Sequence, residues 1–219
     1  IKASDIIFTL VPTPSLPDGS YDVSCVWDVV EDFQTADFDV AGKTLVVGCT
    51  TNPGDCDAFQ KELVECGVSV VYNPEFIAQG SIIKDLQNAD MVLIGGDGNH
   101  KTELEQMYEK IQMGFISPSI YFMSTKAAEV TKIAVNCFLT TKISYANMLG
   151  EVLTLSGMED EIDSVLMSIG ADNRIGKKYL NYGFGFGGPC FPRDNRAFAS
   201  YASKAVSYTH LRAHETHTN

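Results

Sequence analysis

The sequence carries little positive charge for its size, and this limits what it can bind. Its 219 residues include 16 Lys and Arg against 28 Asp and Glu, a formal net charge of −12 at pH 7. Proteins that bind nucleic acids need clustered Lys and Arg to neutralise phosphates, so we expect no nucleic-acid partner. No apolar run reaches the ~20 residues that a membrane-spanning helix needs, so we also expect no membrane span.

Cysteine and histidine lack the spacing of a redox pair or a zinc site. The six cysteines include no C-x-x-C pair, and three of the four histidines lie in the last ten residues. We therefore interpret the cysteines, Cys190 excepted, as reduced thiols of a cytoplasmic protein and expect no metal site. The polar, histidine-rich segment 207–219 breaks the preceding pattern, and we expect it to be a non-native tail.

The first 123 residues alternate strand-like and helix-like patterns. Five short runs are rich in β-branched or aromatic residues, and three segments between them have helical spacing. The predicted strands are 6–12, 44–50, 68–74, 91–96 and 119–124, and the predicted helices are 23–33, 55–66 and 100–112. This alternation predicts an α/β fold with a parallel sheet, in which ligands bind beyond the carboxyl ends of the strands.

From Ser124 onward the pattern is helical. Residues 124–157 contain no Pro and no Gly before Gly150, which predicts one helix of roughly 45–50 Å. A helix at 159–169 and another from about Pro192 to Lys204 follow. We predict a partial NAD-binding, Rossmann-like domain over 1–123 and an all-α unit over 124–206.

The stretch NYGFGFGGPCFPRD, residues 181–194, spells G-x-G-x-x-G at Gly183, Gly185 and Gly188. That fingerprint binds dinucleotides where a strand precedes it and a helix begins at its last glycine, and neither is predicted here. The glycines instead bring Cys190 to the start of a helix, whose positive end favours a thiolate. The residues alone leave a reactive thiol and an inert one equally open.

Other candidate groups lie on the long helix and at strand ends. Lys132 and Asn136 share a helix face at spacing i and i+4, where a cation and an amide can stabilise an oxyanion or form a solvated stripe. Glu75 in NPEF and Thr50 in CTTNPG follow predicted strands. Each can serve catalysis or can cap a turn.

Six segments taken in order resemble one family. They are VPTPSLPDGSYD, CTTNPG, NPEFIAQGSIIKDL, KIAVNCFLTTKISYAN, DNRIGKKYL and GFGFGGPCFPRD. From about residue 4 to 205 the chain resembles the UDP-glucose/GDP-mannose 6-dehydrogenases, which oxidise a sugar C6 alcohol to a carboxylate. The resemblance implies two hydride transfers to NAD, a sugar-nucleotide substrate (UDP-glucose before GDP-mannose), and a homodimer formed through the long helix.

The resemblance also implies roles for individual residues. Cys190 would attack the intermediate aldehyde, giving a thiohemiacetal and then a thioester that Glu75 helps to hydrolyse. The other catalytic residues implied are Lys132 and Asn136 for the oxyanion, and Thr50 and Asp194 for a water. The implied substrate-binding residues are Phe76, Gln79, Tyr179, Leu180, Phe184, Gly187 and, across a dimer interface, Arg174. The implied cofactor-binding residues are Val11, Thr13, Thr50 and Gln79.

The chain also departs from the family pattern. Gln79 stands where Glu is usual, and Pro189 stands where Ser usually precedes the cysteine. The family's nucleotide fingerprint and its C-terminal domain are expected outside these 219 residues, so we expect a fragment that is inactive alone. Two alternatives stay open, a single-step hydroxyacid-type dehydrogenase and a non-catalytic degenerate homologue.

Overall fold

The protein contains a five-stranded sheet followed by a helical unit. The computed structural model describes residues 2–77, 80–99, 101–111 and 119–205. The strands, in spatial as well as chain order, are β1 Ile6–Thr9, β2 Thr44–Val47, β3 Ser69–Tyr72, β4 Met91–Gly95 and β5 Ser119–Met123. The helices are α1 Ser24–Gln34, α2 Asp55–Leu63, α3 Ile82–Gln87, α4 Lys101–Ile111, α5 Thr125–Leu155, α6 Ile162–Gly170 and α7 Phe191–Ala205, with a 3₁₀ turn at Glu159–Glu161. The predicted α/β class with a long helix and a helical unit is confirmed.

The sheet is mostly parallel, so the predicted parallel sheet is confirmed for three of the four strand pairs described and corrected at the fourth. The pairs β1–β2, β2–β3 and β4–β5 are parallel, whereas β3 and β4 meet antiparallel at Tyr72 and Gly95. Asn73, the residue after β3, lies beside β4, and its Nδ2 donates to the carbonyl of Leu93 at 2.8 Å. Helix α3, which lies in this connection, was not predicted, because six residues are too few to show a helical period.

The two faces of β2 show how the sheet is covered. All four residues of the strand are buried, as in a strand with helices on both faces. Leu45 packs in the cluster with Val26 and Phe59 of α1 and α2, while Val46 packs in the cluster with Leu104 of α4. Alternate side chains of β2 thus pack against helices on opposite faces of the sheet.

Helix α5 joins the sheet to the helical unit. Its 31 residues span roughly 46 Å at the usual rise. Its first turn lies so close to β4 that a Cβ on Gly95 would stand 2.8 Å from that of Ala128. Near its other end, Leu153 packs against Leu166 of α6 and Leu180. Among the helices described, none combines the length and the apolar character that crossing a membrane requires.

Candidate active site

Cys190 lies at the N-terminal end of α7. The Asp194 N–H donates to the carbonyl of Cys190 at 2.9 Å, the first hydrogen bond of the helix, so Cys190 is its N-cap residue. The thiol is exposed. A helix N-terminus carries a partial positive charge, so a thiolate or an oxyanion at this position is favoured electrostatically.

Asp194 links α7 to α5 in a buried hydrogen-bond network. Its side chain is only 1% exposed. The Tyr21 hydroxyl donates to Oδ1 at 2.5 Å, and Asn136 Nδ2 donates to Oδ2 at 2.6 Å. Asn136 and Asp194, both proposed from the sequence as catalytic residues, are therefore in direct contact. Asp194 lies one helical turn after Cys190.

Lys132, one helical turn before Asn136 on α5, contacts the loop after β3. Its ammonium group donates to the carbonyl of Glu75 and lies 4.3 Å from the centre of the Phe76 ring. Burial lowers the pKa of Lys132, and the negative charges of Asp194, Cys190 and Glu75 oppose that shift. The Lys132 ammonium group is thus within electrostatic range of Asp194 and Cys190, where a cation can stabilise a developing negative charge.

Arg193 connects the start of α7 to the segment after β1. Its Nη1 donates to the carbonyl of Thr13 at 3.2 Å, and its guanidinium lies 5.2 Å from the centre of the Tyr21 ring. Its buried Nε lies 3.9 Å from Asp194 Oδ1 and has no hydrogen-bond partner among the residues that the structure describes. Thr13, proposed as a cofactor residue, is therefore attached to the helix that presents Cys190.

The sequence did not single out Glu129, a fully buried carboxylate on α5. Glu129 Oε1 accepts from the Thr51 hydroxyl and the Cys56 N–H, both at 2.9 Å, and Oε2 accepts from the Gly54 N–H at 2.5 Å. Burial raises the pKa of Glu129, and these donors oppose that shift. One signal of its role was available, since an acid one turn before Lys132 on an apolar helix needs partners.

Because Glu129 occupies the N-terminus of α2, a phosphate group cannot use that helix end. Helix α2 follows β2 at the carboxyl edge, the position where α/β proteins often bind phosphates. Here Gly54 and Cys56 donate their N–H groups to the protein's own carboxylate. Thr50, next to this loop, is partly buried at the same edge.

The first residues of the glycine-rich loop are hydrogen-bonded to α5. Asn147 accepts from the Gly183 N–H at 3.0 Å and donates to the Phe184 carbonyl at 2.9 Å. Gly183 and Gly188 have positive φ values of 88° and 74°, which glycine adopts without strain. The loop precedes α7 and follows no strand, so its G-x-G-x-x-G lacks the context of a nucleotide fingerprint.

Comparison with known proteins identifies the family. Residues 1–112 match the NAD binding domain of the UDP-glucose/GDP-mannose dehydrogenase family, and residues 126–219 match the family's central domain. The chain belongs to this family. The central-domain match includes the tail 207–219, whose structure lies outside the described residues, so its non-native origin stays a prediction.

Individual relatives agree with the family match. A UDP-glucose 6-dehydrogenase of Rhizobium meliloti is 34% identical over 209 residues, which cover 92% of this chain and 47% of that protein. A UDP-glucose dehydrogenase structure from Pyrobaculum islandicum superimposes with a TM-score of 0.79 at 31% identity, covering 98% of this chain and 51% of that one. A GDP-mannose dehydrogenase structure from Pseudomonas aeruginosa gives 0.67 at 27%, covering 96% and 50%. This chain spans about half the length of these relatives.

NAD is the cofactor of the family's matched domain. Val11, Thr13 and Thr50 follow β1 and β2 at the carboxyl edge, where Thr13 is buried and the other two are partly buried. Their role in cofactor binding stays a prediction. In the parts of the chain that the structure describes, no group of three or more His, Cys, Asp or Glu residues is placed to hold a metal.

The remaining residues implied by the family resemblance are more scattered. Tyr179 has a φ of 66° and packs edge-on against Phe191, with ring centres 6.2 Å apart. Phe184 and Gly187 are exposed, whereas Leu180 is buried in the helical core. These four residues keep their proposed roles as predictions.

Two further substrate residues are not placed at the site. Arg174 is exposed and forms an ion pair with Asp172, at 2.7 Å between Nη2 and Oδ2. It faces solvent within this chain, which leaves its proposed role across a dimer interface as a prediction. Gln79 lies outside the described residues.

Substitution of Gly150 with alanine tests the attachment of the glycine-rich loop. A Cβ on Gly150 would lie 2.0 Å from the Tyr182 ring, so the ring and the loop would have to move. We expect Gly150→Ala to lower the free energy of unfolding by about 1–3 kcal/mol in urea denaturation. The control is Gly185→Ala, because among the described residues, apart from its chain neighbours, none has an atom within 4 Å of a Cβ there. Equal stability of the two variants would contradict the attachment.

Proposed function

We propose that the complete protein, with whatever sequence flanks this chain, is an NAD-dependent nucleotide-sugar 6-dehydrogenase that uses Cys190 as its nucleophile. One observation carries the proposal. The exposed Cys190 thiol caps a helix whose first turn holds Asp194, and Asp194 is hydrogen-bonded to Asn136, one helical turn beyond Lys132. This arrangement supports the proposal that a nucleophile, a cation and an amide act together on the reacting carbonyl group.

The chemistry proposed for these groups is a four-electron oxidation. NAD, when bound, accepts a hydride in each of two oxidations, from the C6 alcohol and then from the thiohemiacetal. Between them, the Cys190 sulfur forms a bond to the aldehyde carbon, and the carbonyl oxygen becomes the thiohemiacetal oxygen. The second oxidation gives a thioester, and water then cleaves the carbon–sulfur bond, releasing the carboxylate and the thiol.

The residues on α5 fit the oxygen that becomes negative in these steps. Lys132 supplies a positive charge, and Asn136 has a second amide hydrogen besides the one that it donates to Asp194. Partial burial strengthens both interactions, because the local dielectric is lower than in water. We propose that Glu75 assists the hydrolysis and that Asp194 and Thr50 hold the attacking water.

The number of NADH molecules formed per sugar nucleotide tests the proposed reaction. We propose UDP-glucose as the substrate, because the relative from Rhizobium meliloti is named a UDP-glucose 6-dehydrogenase. The complete protein should form two NADH per UDP-glucose consumed. One NADH would indicate a single-step dehydrogenase, and none would indicate a non-catalytic protein.

We also propose that the protein is a homodimer assembled through α5. One face of the helix carries exposed apolar side chains at helical spacing. These residues are Phe138, Tyr145, Met148, Val152 and Leu155. Such a face is costly in water, and a second copy of the same face is its proposed partner. A cytoplasmic location fits the six cysteines, which are all free thiols.

A charge on this face should weaken the dimer. We expect Met148→Glu to raise the dimer dissociation constant by about 100-fold, because a carboxylate would be buried against apolar groups. Light scattering after size-exclusion chromatography measures the mass over a range of concentrations. The control is Val64→Glu, an exposed apolar residue just after α2. Dimers of equal strength in both variants would contradict the proposal.

A further inference from the structure

We infer that Tyr21 is a positioning residue. It fixes the position of Asp194, and therefore of the N-terminal end of α7 with Cys190, relative to the loop that carries Thr50. The inference rests on the proposed function for its catalytic meaning. Its structural content is a pair of attachments made by one residue, through its backbone to one loop and through its hydroxyl to α7.

The backbone of Tyr21 is held by the loop after β2. Asn52 Oδ1 accepts from the Tyr21 N–H at 2.7 Å, and Asn52 Nδ2 donates to the Tyr21 carbonyl at 2.9 Å. Asn52 is itself fixed, because its backbone N–H and its Nδ2 both donate to Asp55 Oδ2. Tyr21 is thus attached to a rigid loop two residues beyond Thr50.

The side chain of Tyr21 reaches the helix that carries Cys190. It is 2% exposed and packs with Ile133 of α5 and Ala197 of α7. Its hydroxyl donates to Asp194. Burial, and then the charge of Asp194, raise the pKa of Tyr21, so the hydroxyl stays a hydrogen-bond donor at neutral pH.

Tyr21 fixes which way the Asp194 carboxylate turns. One oxygen accepts from Tyr21 and the other from Asn136. The Nε of Arg193 lies 3.9 Å from the oxygen that accepts from Tyr21, and within the described part of the chain it has no hydrogen-bond partner. Without the hydroxyl, we expect Asp194 to turn toward Arg193, which would disturb the Asp194 N–H bond to Cys190.

Amide exchange in the 219-residue chain tests this expectation directly. In Tyr21→Phe, the Asp194 N–H should exchange about tenfold faster, the effect of losing one hydrogen bond to a charged group. Amides in the middle of α5 should be unchanged. The same substitution in an Asp194→Asn background should add less than half of that effect, because the two groups act as a pair. The control is Tyr201→Phe, further along α7.

Two results would overturn the inference. One is unchanged exchange of the Asp194 N–H in Tyr21→Phe, and the other is a full tenfold effect in the Asp194→Asn background. If Tyr21→Phe fails to fold, NMR spectroscopy of the unsubstituted chain tests the inference instead. Its Tyr21 hydroxyl proton should exchange slowly and should be lost in Asp194→Asn, and a rapidly exchanging proton would overturn the inference.

Kinetics of the complete protein separate positioning from substrate binding. Tyr21→Phe should lower kcat for acid formation about tenfold and leave KM for the sugar nucleotide unchanged, because Tyr21 is buried and we expect it to act only through Asp194. A rise in KM alone would contradict a positioning role. The exchange experiment needs no turnover, so a failure of the dehydrogenase proposal and a failure of this inference give different results.

Discussion

Replacing Cys190 with serine is expected to stop acid formation by the complete protein, with a loss of at least about a thousandfold in rate. Serine keeps the approximate size of the side chain, but its hydroxyl is a much weaker nucleophile than a cysteine sulfur. Without the covalent adduct, the second oxidation has no thiohemiacetal to act on. Chromatography of the sugar nucleotides, together with NADH absorbance, measures both oxidations.

The design of the Cys190→Ser experiment includes a matched thiol. Cys66 is a free, partly buried cysteine after α2, remote from α7 in the chain. Cys66→Ser should form acid at the unsubstituted rate. Undiminished carboxylate output from Cys190→Ser would exclude the thioester scheme and leave a single-step or water-mediated oxidation.

Replacing Glu129 with alanine is expected to lower the free energy of unfolding of the chain by about 3–5 kcal/mol. The substitution removes the acceptor of the Thr51 hydroxyl and of the N–H groups of Gly54 and Cys56. It also leaves a cavity between α5 and α2. Denaturant unfolding, followed by circular dichroism, measures the change.

Two comparison variants define the cause of the Glu129 effect. Glu129→Gln can keep the two bonds to Oε1 but turns an NH₂ group toward the Gly54 N–H, so we expect an intermediate loss. Glu151→Ala removes an exposed acid from the same helix and should change the unfolding free energy by less than about 0.5 kcal/mol. A loss below about 1 kcal/mol for Glu129→Ala would show that its three donors find other acceptors.

Local patterns in the sequence predicted most of the elements but not the antiparallel pairing of β3 and β4. β2 and β3 are short apolar runs, and the helices between strands show their periods over two turns or more. The reversal of β4 depends on one antiparallel pair, Tyr72 and Gly95, and on the Asn73 contact to Leu93. No local pattern records such a contact, so alternation of strands and helices predicted a parallel sheet.

The residues of the candidate site likewise include some that the sequence predicted and some that it missed. Lys132 and Asn136 were found because one helix turn brings them to one face, and Cys190 because it lies at a predicted helix start. The family resemblance then implied the catalytic roles of Cys190 and Asp194. Tyr21 was missed, since 173 residues separate it from Asp194 and its segment reads as a turn. Contacts between segments far apart in sequence depend on the tertiary fold, which periodicity does not encode.

The most direct measurement of the central claim is the mass of the Cys190 peptide in a variant that cannot complete the last step. In the complete protein with Glu75→Gln, incubation with NAD and UDP-glucose should leave the sugar acid attached to Cys190 as a thioester. Hydroxylamine should remove that added mass. An unmodified Cys190 peptide in a variant that still forms NADH, or an adduct on another residue, would contradict the account.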